Sequence, residues 1–193
     1  MKKIRADIYA GTTNVQKLNI ESDRSDRVLT FFCNQLTRNL KQKKNEFHVI
    51  GDSRYFNDLT CEQVQNAKSN VNKILTLDSC LKSLPEEFGS KVIVFNNLGK
   101  TGFSSQPDLG IFHGSSVMYI AIQCAFFYGA TDIYIHGAKF DYGMGINRAR
   151  SMNNVSLPDI TLSDIIKCIR EYAEPELQKS NVKLFFQQWS VLL

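Results

Sequence analysis

Five short stretches of small polar residues could bind a ligand, because each follows an apolar run that is typical of a strand. They are Gly11-Thr12-Thr13-Asn14, Asn34-Gln35, Gly51-Asp52-Ser53, Asn96-Asn97 and His136-Gly137. Hydroxyl and amide side chains can hydrogen-bond a ribose, a base edge or a sugar, and glycine lets the backbone approach it closely. Ordinary strand-to-helix turns use the same residue types, and for any single stretch that is the alternative. Five such stretches on one edge of a sheet favour a pocket.

A further stretch, His113-Gly114-Ser115-Ser116, precedes an apolar helix. The first N–H groups of a helix have no partner within it, and the helix dipole is positive at that end. A phosphate at this turn would therefore be stabilised without a basic side chain. The alternative, a serine that only caps a core helix, fits the same residues equally well.

Candidate catalytic side chains are scattered and match no standard signature, since the chain has no G-x-G-x-x-G, Walker-A or G-x-S-x-G element. His136 ends an apolar run and could be structural or functional. Asp141 and Tyr142 follow the same run, and Asp159 precedes a long helix, where a carboxylate is usually a cap. The glycine-rich segment 142–158 is predicted to be a mobile lid.

Seven short apolar runs, rich in β-branched and aromatic residues, predict the strands that carry these stretches. They cover residues 4–10, 27–33, 47–50, 73–77, 91–95, 132–135 and 182–186. Such runs are typical of strands buried on both faces of a sheet. Helical periodicity between them completes an α/β pattern, which predicts a Rossmann-like, mostly parallel sheet of about seven strands with helices on both faces. Sheets of this class bind ligands beyond the carboxyl ends of their strands.

A helix unlike the others is predicted from Ser116 to Tyr128, because Gln123 is its only strongly polar side chain. A helix that is apolar on every side must be buried. Ser115 or Ser116 can cap its start, and Gly129 suits the left-handed position after its end.

The bulk composition predicts a single globular domain over residues 1–193, with 43% hydrophobic and 22% charged residues. A net charge of +4 is too small to argue for nucleic-acid binding. The five cysteines include no C-x-x-C pair, so neither a zinc site nor a disulfide framework is predicted. The charged first residues predict no signal peptide, and no apolar stretch is long enough to span a bilayer. We therefore expect a cytoplasmic protein, either free or at the inner face of the membrane.

Several of these stretches resemble motifs of the bacterial sialyltransferases of glycosyltransferase family 42. Ala10-Gly11-Thr12-Thr13 falls where that family has A-G-N-G, Cys33-Asn34-Gln35 matches a C-N-Q, and Gly51-Asp52-Ser53 falls at an N-P-S. The longest match is 114–140, where the family has a serine–glycine turn, an apolar helix, G-[Y/F]-K-E-I-Y-L-x-G and an acidic–aromatic turn. The asparagine of A-G-N-G is replaced by Thr12, and the asparagine of N-P-S is replaced by Gly51.

The same segment is similar to the pterin pyrophosphokinase-like proteins, which are related in fold. Their G-G-S-V fits Gly114-Ser115-Ser116-Val117 slightly better, and their N-D-L would align with Asn57-Asp58-Leu59. The two alignments agree on the fold and disagree on register in the first half of the chain.

The sialyltransferase resemblance implies a CMP-linked sugar donor, inverting transfer and no obligatory metal or other cofactor. It also implies a tyrosine that stabilises the leaving phosphate, for which Tyr142 is the nearest candidate, and a histidine as general base. The segment that carries this histidine in the family reads Ser156-Leu157-Pro158-Asp159 here, so Asp159 becomes the candidate base, with Asp141 or His113 as alternatives. The resemblance implies that Thr12, Asn34, Gly51, Ser53 and the turn Gly114-Ser115-Ser116 contact the donor. The predicted donor site also includes Gly11, Thr13, Asn14, Gln35, Asp52, His113, Gly137 and Phe140.

Three functions remain open from the sequence, and a homo-oligomer is compatible with each. The first is a glycosyltransferase that uses a CMP-linked donor and a glycan or lipid-linked acceptor. The second is a nucleotide-binding module that kept the pocket and lost the base. The third is a pyrophosphokinase-like phosphotransferase, in which Asp52, Asp78 and Asp141 would hold Mg²⁺.

Overall fold

The computed structural model describes residues 3–10, 28–34, 36, 45–138 and 159–187, and only the backbone at 159–162. Its centre is a seven-stranded sheet in the order β5-β4-β3-β2-β1-β6-β7, and every neighbouring pair is parallel. The strands are β1 (Arg5–Tyr9), β2 (Val28–Cys33), β3 (Glu46–Ile50), β4 (Lys73–Leu77), β5 (Val92–Phe95), β6 (Asp132–His136) and β7 (Lys183–Gln187). The predicted α/β class and Rossmann-like parallel sheet are confirmed.

Helices cover both faces of this sheet. They are α1 (Ser53–Asn57), α2 (Cys61–Asn70), α3 (Val117–Phe127), α4 (Asp159–Cys168) and α5 (Glu174–Lys179), with a π-helical turn at Ile169–Ala173 and 3₁₀ turns at Asp78–Ser83 and Glu86–Lys91. Alternate strand residues enter two separate cores, because successive side chains of a strand point to opposite faces. Val49 packs in the core that contains α3, whereas Ile50 packs in the core that contains α2.

The predicted core helix is α3, and it is buried along most of its length. All eight residues from Met118 to Ala125 are buried. Ser116 is its N-cap, with Oγ accepting from the Met118 N–H at 3.2 Å. Gly129 follows its end with a φ of +82°, as predicted for the glycine stop. The helix runs antiparallel to the strands, so its first turn lies at their carboxyl ends.

The outermost strand β7 departs from the prediction that apolar runs are buried on both faces. Phe185 and Phe186 point to opposite faces and are each 37% exposed. β7 pairs with β6 and lies at the end of the sheet, so the described elements cover it less completely than the inner strands. An apolar run therefore predicted a strand here but not its burial.

All five cysteines lie in the described part of the chain and are free thiols. Among the described helices, none has both the length and the apolar character needed to cross a membrane.

Candidate functional site

The turn before α3, residues 113–116, has the geometry of a type I′ β-turn. Its two central residues, Gly114 and Ser115, have φ values of +55° and +57°, and the Ser116 N–H donates to the His113 carbonyl at 2.9 Å. A Cβ on Gly114 would lie 2.3 Å from the Tyr119 ring, so only glycine fits here. We call these four residues the α3 turn. It places the N-terminal end of α3, where the helix dipole is positive, at the carboxyl edge of the sheet.

The His113 ring is oriented at this turn so that its Nε2 can donate a hydrogen bond. Its Nδ1 accepts from the Ser115 N–H at 3.1 Å. Partial burial and the nearby charge of Lys100 lower the pKa of His113, which favours the neutral ring. A neutral ring that accepts at Nδ1 carries its hydrogen on Nε2. His113 therefore suits an anion as a donor and is poorly arranged to be the general base that the sequence left open.

The loop before the α3 turn ties it to the C-terminal helices. Backbone bonds join His113 to Gly99 at 2.9 Å and Gly114 to Lys100 at 3.1 Å. The Lys100 ammonium in turn forms an ion pair with Asp164 of α4. The position of the turn therefore depends on contacts with two distant parts of the chain.

Gly51, at the carboxyl end of β3, lies directly against the first turns of α3. A Cβ on Gly51 would lie 2.9 Å from Cδ1 of Ile120 and 3.2 Å from Cγ2 of Val117. The sheet thus brings two of the predicted binding stretches, Gly51-Asp52-Ser53 and the α3 turn, to the same place. This is the juxtaposition that a nucleotide lying along the carboxyl edge requires.

Asp52 is occupied by local interactions. Its carboxylate caps α1 through the Arg54 N–H at 3.0 Å and pairs with the Arg54 guanidinium at 2.6 Å. Arg54 also lowers the pKa of Asp52, mainly through that side-chain hydrogen bond. Ser53 follows as the first residue of α1. Of this stretch, Gly51 is the residue that the packing of α3 requires to be glycine.

The other described stretches are more dispersed. Asn34 is exposed after β2 with a φ of +53°. Asn97 follows the outermost strand β5, accepts from the Gly99 N–H at 2.9 Å and donates its own N–H to Asp78 at 3.2 Å, so it serves local turns. Gly137 follows β6 with a φ of +74°.

Several predicted site residues lie outside the described residues. They are Gly11, Thr12, Thr13, Asn14, Gln35, Phe140, Asp141 and Tyr142, together with the predicted lid 142–158. Asp159 is the first residue of α4, and only its backbone is described.

A buried charged cluster lies where β1 meets β6. The Asp7 carboxylate is 2.7 Å from Nε2 of His136, and Arg5 binds it through two nitrogens at 2.8 Å each. Asp7 and His136 are only 6% and 5% exposed. The His136 ring also stacks on Tyr9 at 4.7 Å between centroids. We call this arrangement the Asp7–His136 pair.

The pair lies at the topological switch point of the sheet. Strands are added on one side of β1 as far as β5, and the chain then returns past β1 to add β6 and β7 on the other side. The crevice beyond the carboxyl ends of β1 and β6 is where sheets of this kind bind ligands. Tyr9 and His136, the last residues of the two strands, are paired in register there.

Comparison with protein-family models, with curated proteins and with solved structures finds no match to this chain. The resemblance to family 42 sialyltransferases therefore depends on the sequence motifs alone.

Asp7 is ionised within this cluster. Burial opposes its charge, but hydrogen bonds from His136 and Arg5 and the positive charge of Arg5 outweigh it, so the pKa of Asp7 is below its ordinary value. A carboxylate can only accept hydrogen bonds, so Nε2 of His136 must be the donor. If the ring is neutral, its Nδ1 then carries a lone pair.

Sequence reasoning missed Asp7 and Arg5 and left His136 undecided. The available signal was a charged residue at the centre of an inner strand, between Ala6 and Ile8, which are both fully buried. A buried carboxylate needs a partner, since its desolvation is costly. The sequence could not name that partner, because His136 is 129 residues away.

Replacing Asp7 should weaken the fold at neutral pH and not in acid. A group whose pKa is lowered by folding stabilises the protein above its unfolded pKa of about 3.9 and loses that effect as the pH falls through its folded pKa. We expect Asp7→Asn to cost about 2 kcal/mol near pH 7 and almost nothing near pH 2, measured by urea unfolding across this range.

Asp52→Asn is the matched control for this prediction. Asp52 pairs with an arginine two residues away, as Asp7 does, but its side chain is 37% exposed, whereas that of Asp7 is 9% exposed. Solvent screening limits such a pair to well under about 1 kcal/mol, and asparagine keeps the helix cap. Equal losses for the two variants would contradict a special role of burial at Asp7.

Proposed function

We propose that this protein is an inverting glycosyltransferase that takes a sugar from a CMP-linked donor. The supporting observation is the contact of Gly51 with Val117 and Ile120, which brings the stretch Gly51-Asp52-Ser53 against the positive end of α3. The sequence resemblance suggests CMP as the nucleotide. In this proposal the donor phosphate binds at the α3 turn, where the helix dipole and the His113 Nε2–H favour an anion.

The transfer follows from that position of the phosphate. An acceptor hydroxyl attacks the anomeric carbon while the bond from that carbon to the phosphate oxygen breaks. The α3 turn stabilises the charge that develops on the leaving phosphate, which is the interaction that most directly lowers such a barrier. The proposed acceptor is a glycan or lipid-linked glycan, and the proposed location is the cytoplasm or the inner face of the membrane. Tyr142 stays the proposed second stabiliser of the leaving group.

The pyrophosphokinase-like alternative receives less support. It needs carboxylates that can hold Mg²⁺. Asp52 is paired with Arg54, and Asp78 accepts from the Asn97 backbone. Within the described ranges, no three His, Cys, Asp or Glu side chains are grouped to hold a metal ion.

Nucleotide binding at the α3 turn can be tested without measuring activity. Ser116→Asp keeps an N-cap and adds a negative charge at the positive end of α3, so the fold should be as stable as before or slightly more so. The same charge should repel a phosphate. We expect CMP affinity, measured by titration calorimetry, to fall at least about tenfold.

Thr60→Asp is the matched control for that charge. Thr60 is the N-cap of α2, which packs in the other core, and its side chain also accepts from an N–H of the first helical turn, that of Gln63. This variant should bind CMP as the unmodified protein does. Equal CMP affinity in the two variants would contradict the proposal that the phosphate binds at the α3 turn.

Transfer itself is tested with CMP-linked sialic acid and a panel of sialic-acid acceptors. Release of CMP that depends on an acceptor supports a glycosyltransferase. CMP binding without hydrolysis or transfer would instead support the nucleotide-binding module. Binding of ATP that requires Mg²⁺ would support the phosphotransferase.

A further inference from the structure

We propose that His136 accepts the proton of the acceptor hydroxyl and that Asp7 is the residue that positions it. This inference depends on the proposed glycosyl transfer and names a base that the sequence did not identify. It replaces Asp159, Asp141 and His113 in that role.

The geometry of the pair is that of an oriented imidazole. Asp7 accepts from Nε2 at 2.7 Å, which fixes the tautomer and leaves the lone pair on Nδ1. Within the described residues, Asp7 is the one side chain that hydrogen-bonds the His136 ring. Tyr9 stacks on one side of the ring at an interplanar angle of 16° and limits its rotation. A ring held this way has one nitrogen committed to the protein and one able to take a proton.

The contacts of Arg5 keep the Asp7 carboxylate ionised beside His136. Arg5 binds the same carboxylate through two nitrogens, and its guanidinium lies 4.5 Å from the centre of the Tyr134 ring. Arg5 is half exposed, whereas Asp7 is nearly buried. The carboxylate therefore remains charged when His136 gains a proton, and that charge stabilises the resulting imidazolium.

The position of the pair agrees with the proposed donor site. His136 is the last residue of β6 at the switch point, while the α3 turn lies at the same edge over the opposite face of the sheet. A nucleotide sugar lying across that edge would have its phosphate at the α3 turn and its sugar towards β1 and β6. The acceptor oxygen then bonds to the anomeric carbon, CMP leaves with the bonding electrons, and the hydroxyl proton passes to Nδ1.

The decisive variant is His136→Gln. The glutamine amide can reach the place of Nε2 and keep the hydrogen bond to Asp7, but it cannot accept a proton at neutral pH. We expect kcat for CMP-linked sialic acid to fall by about 10² to 10⁴ while CMP affinity and the melting temperature change little. Should this variant not fold, Asp7→Asn, which leaves the His136 ring in place, provides the second test.

Asp7→Asn and the double variant with His136→Gln separate catalysis from structure. If Asp7 acts through His136, Asp7→Asn lowers kcat and adds no further loss once His136 is replaced. His48→Gln is the control, because His48 is buried on the same face in β3 and aligned with Phe32 of β2. Its kcat should stay close to that of the unmodified protein.

The outcomes distinguish this inference from the proposed function. If the protein is active and its His136→Gln variant keeps its kcat, the role of His136 is overturned. The proposed glycosyltransferase function is then unaffected. A protein that binds CMP but transfers no sugar overturns both the transfer and the base. A protein that neither binds CMP nor releases it from a donor overturns the proposed function and this inference together.

Discussion

Gly114→Ala should lower the free energy of unfolding by about 3 to 5 kcal/mol, a large share of the stability of a domain this size. The new Cβ would approach the Tyr119 ring to between 2.3 and 2.8 Å. That ring cannot withdraw easily, because Tyr119 is fully buried in α3 and its hydroxyl donates to the Gly102 carbonyl at 2.7 Å. The strain of an alanine in the left-handed conformation adds to the energetic cost of this steric overlap.

Gly129→Ala separates the two causes. Gly129 also has a positive φ, of +82°, but an added Cβ would meet only Cδ1 of Ile4, at an ordinary contact distance of 3.8 Å. It should therefore cost only the backbone term of about 1 to 2 kcal/mol. Urea unfolding at equal m-values gives both losses. Similar losses would mean that the α3 turn adjusts to a side chain and that glycine is not required there.

Gln123→Met should cost about 3 kcal/mol, although it replaces a polar side chain with an apolar one of similar size. Gln123 is fully buried in α3, and its amide makes four hydrogen bonds to backbone groups. Oε1 accepts from Ser104 and Phe112 at 3.0 and 3.2 Å, and Nε2 donates to Phe112 and Tyr119 at 2.7 and 3.1 Å. Methionine would leave the loop groups of Ser104 and Phe112 buried without these partners.

The control for this prediction is Gln65→Met on the exposed face of α2. It should change the free energy of unfolding by less than about 0.5 kcal/mol. Hydrogen exchange at the Ser104 and Phe112 amides offers a direct check, because both should lose protection in Gln123→Met. Unchanged protection at these two amides would mean that the loop does not depend on Gln123.

The sequence predicted the elements of this fold better than their relations. Apolar runs located the strands to within about two residues, and the pattern around α3 predicted its cap, its burial and its glycine stop. These features depend on neighbours within one turn or one strand. The exposure of Phe185 was not predicted, because it depends on β7 being at the end of the sheet.

The candidate site divides in the same way. The α3 turn was predicted because four consecutive residues form it. Its contact with Gly51 follows only once β3 and α3 are packed together. The Asp7–His136 pair needs the strand order itself, since β1 could have had other neighbours than β6. Long-range pairing of this kind leaves no periodic signal in a single sequence.

The strand order also affects how the chain is made. A ribosome delivers β1 to β5 before β6, so the half-built sheet has β1 as a temporary outer strand until β6 is synthesised. An open parallel edge is a template for pairing with other nascent chains, and charged side chains on such an edge discourage it. Arg5 and Asp7 place charges of this kind on β1, and Asp7 contacts His136 once β6 is in place. The Asp7 carboxylate thus belongs to an edge strand until β6 is added and is buried between β1 and β6 afterwards.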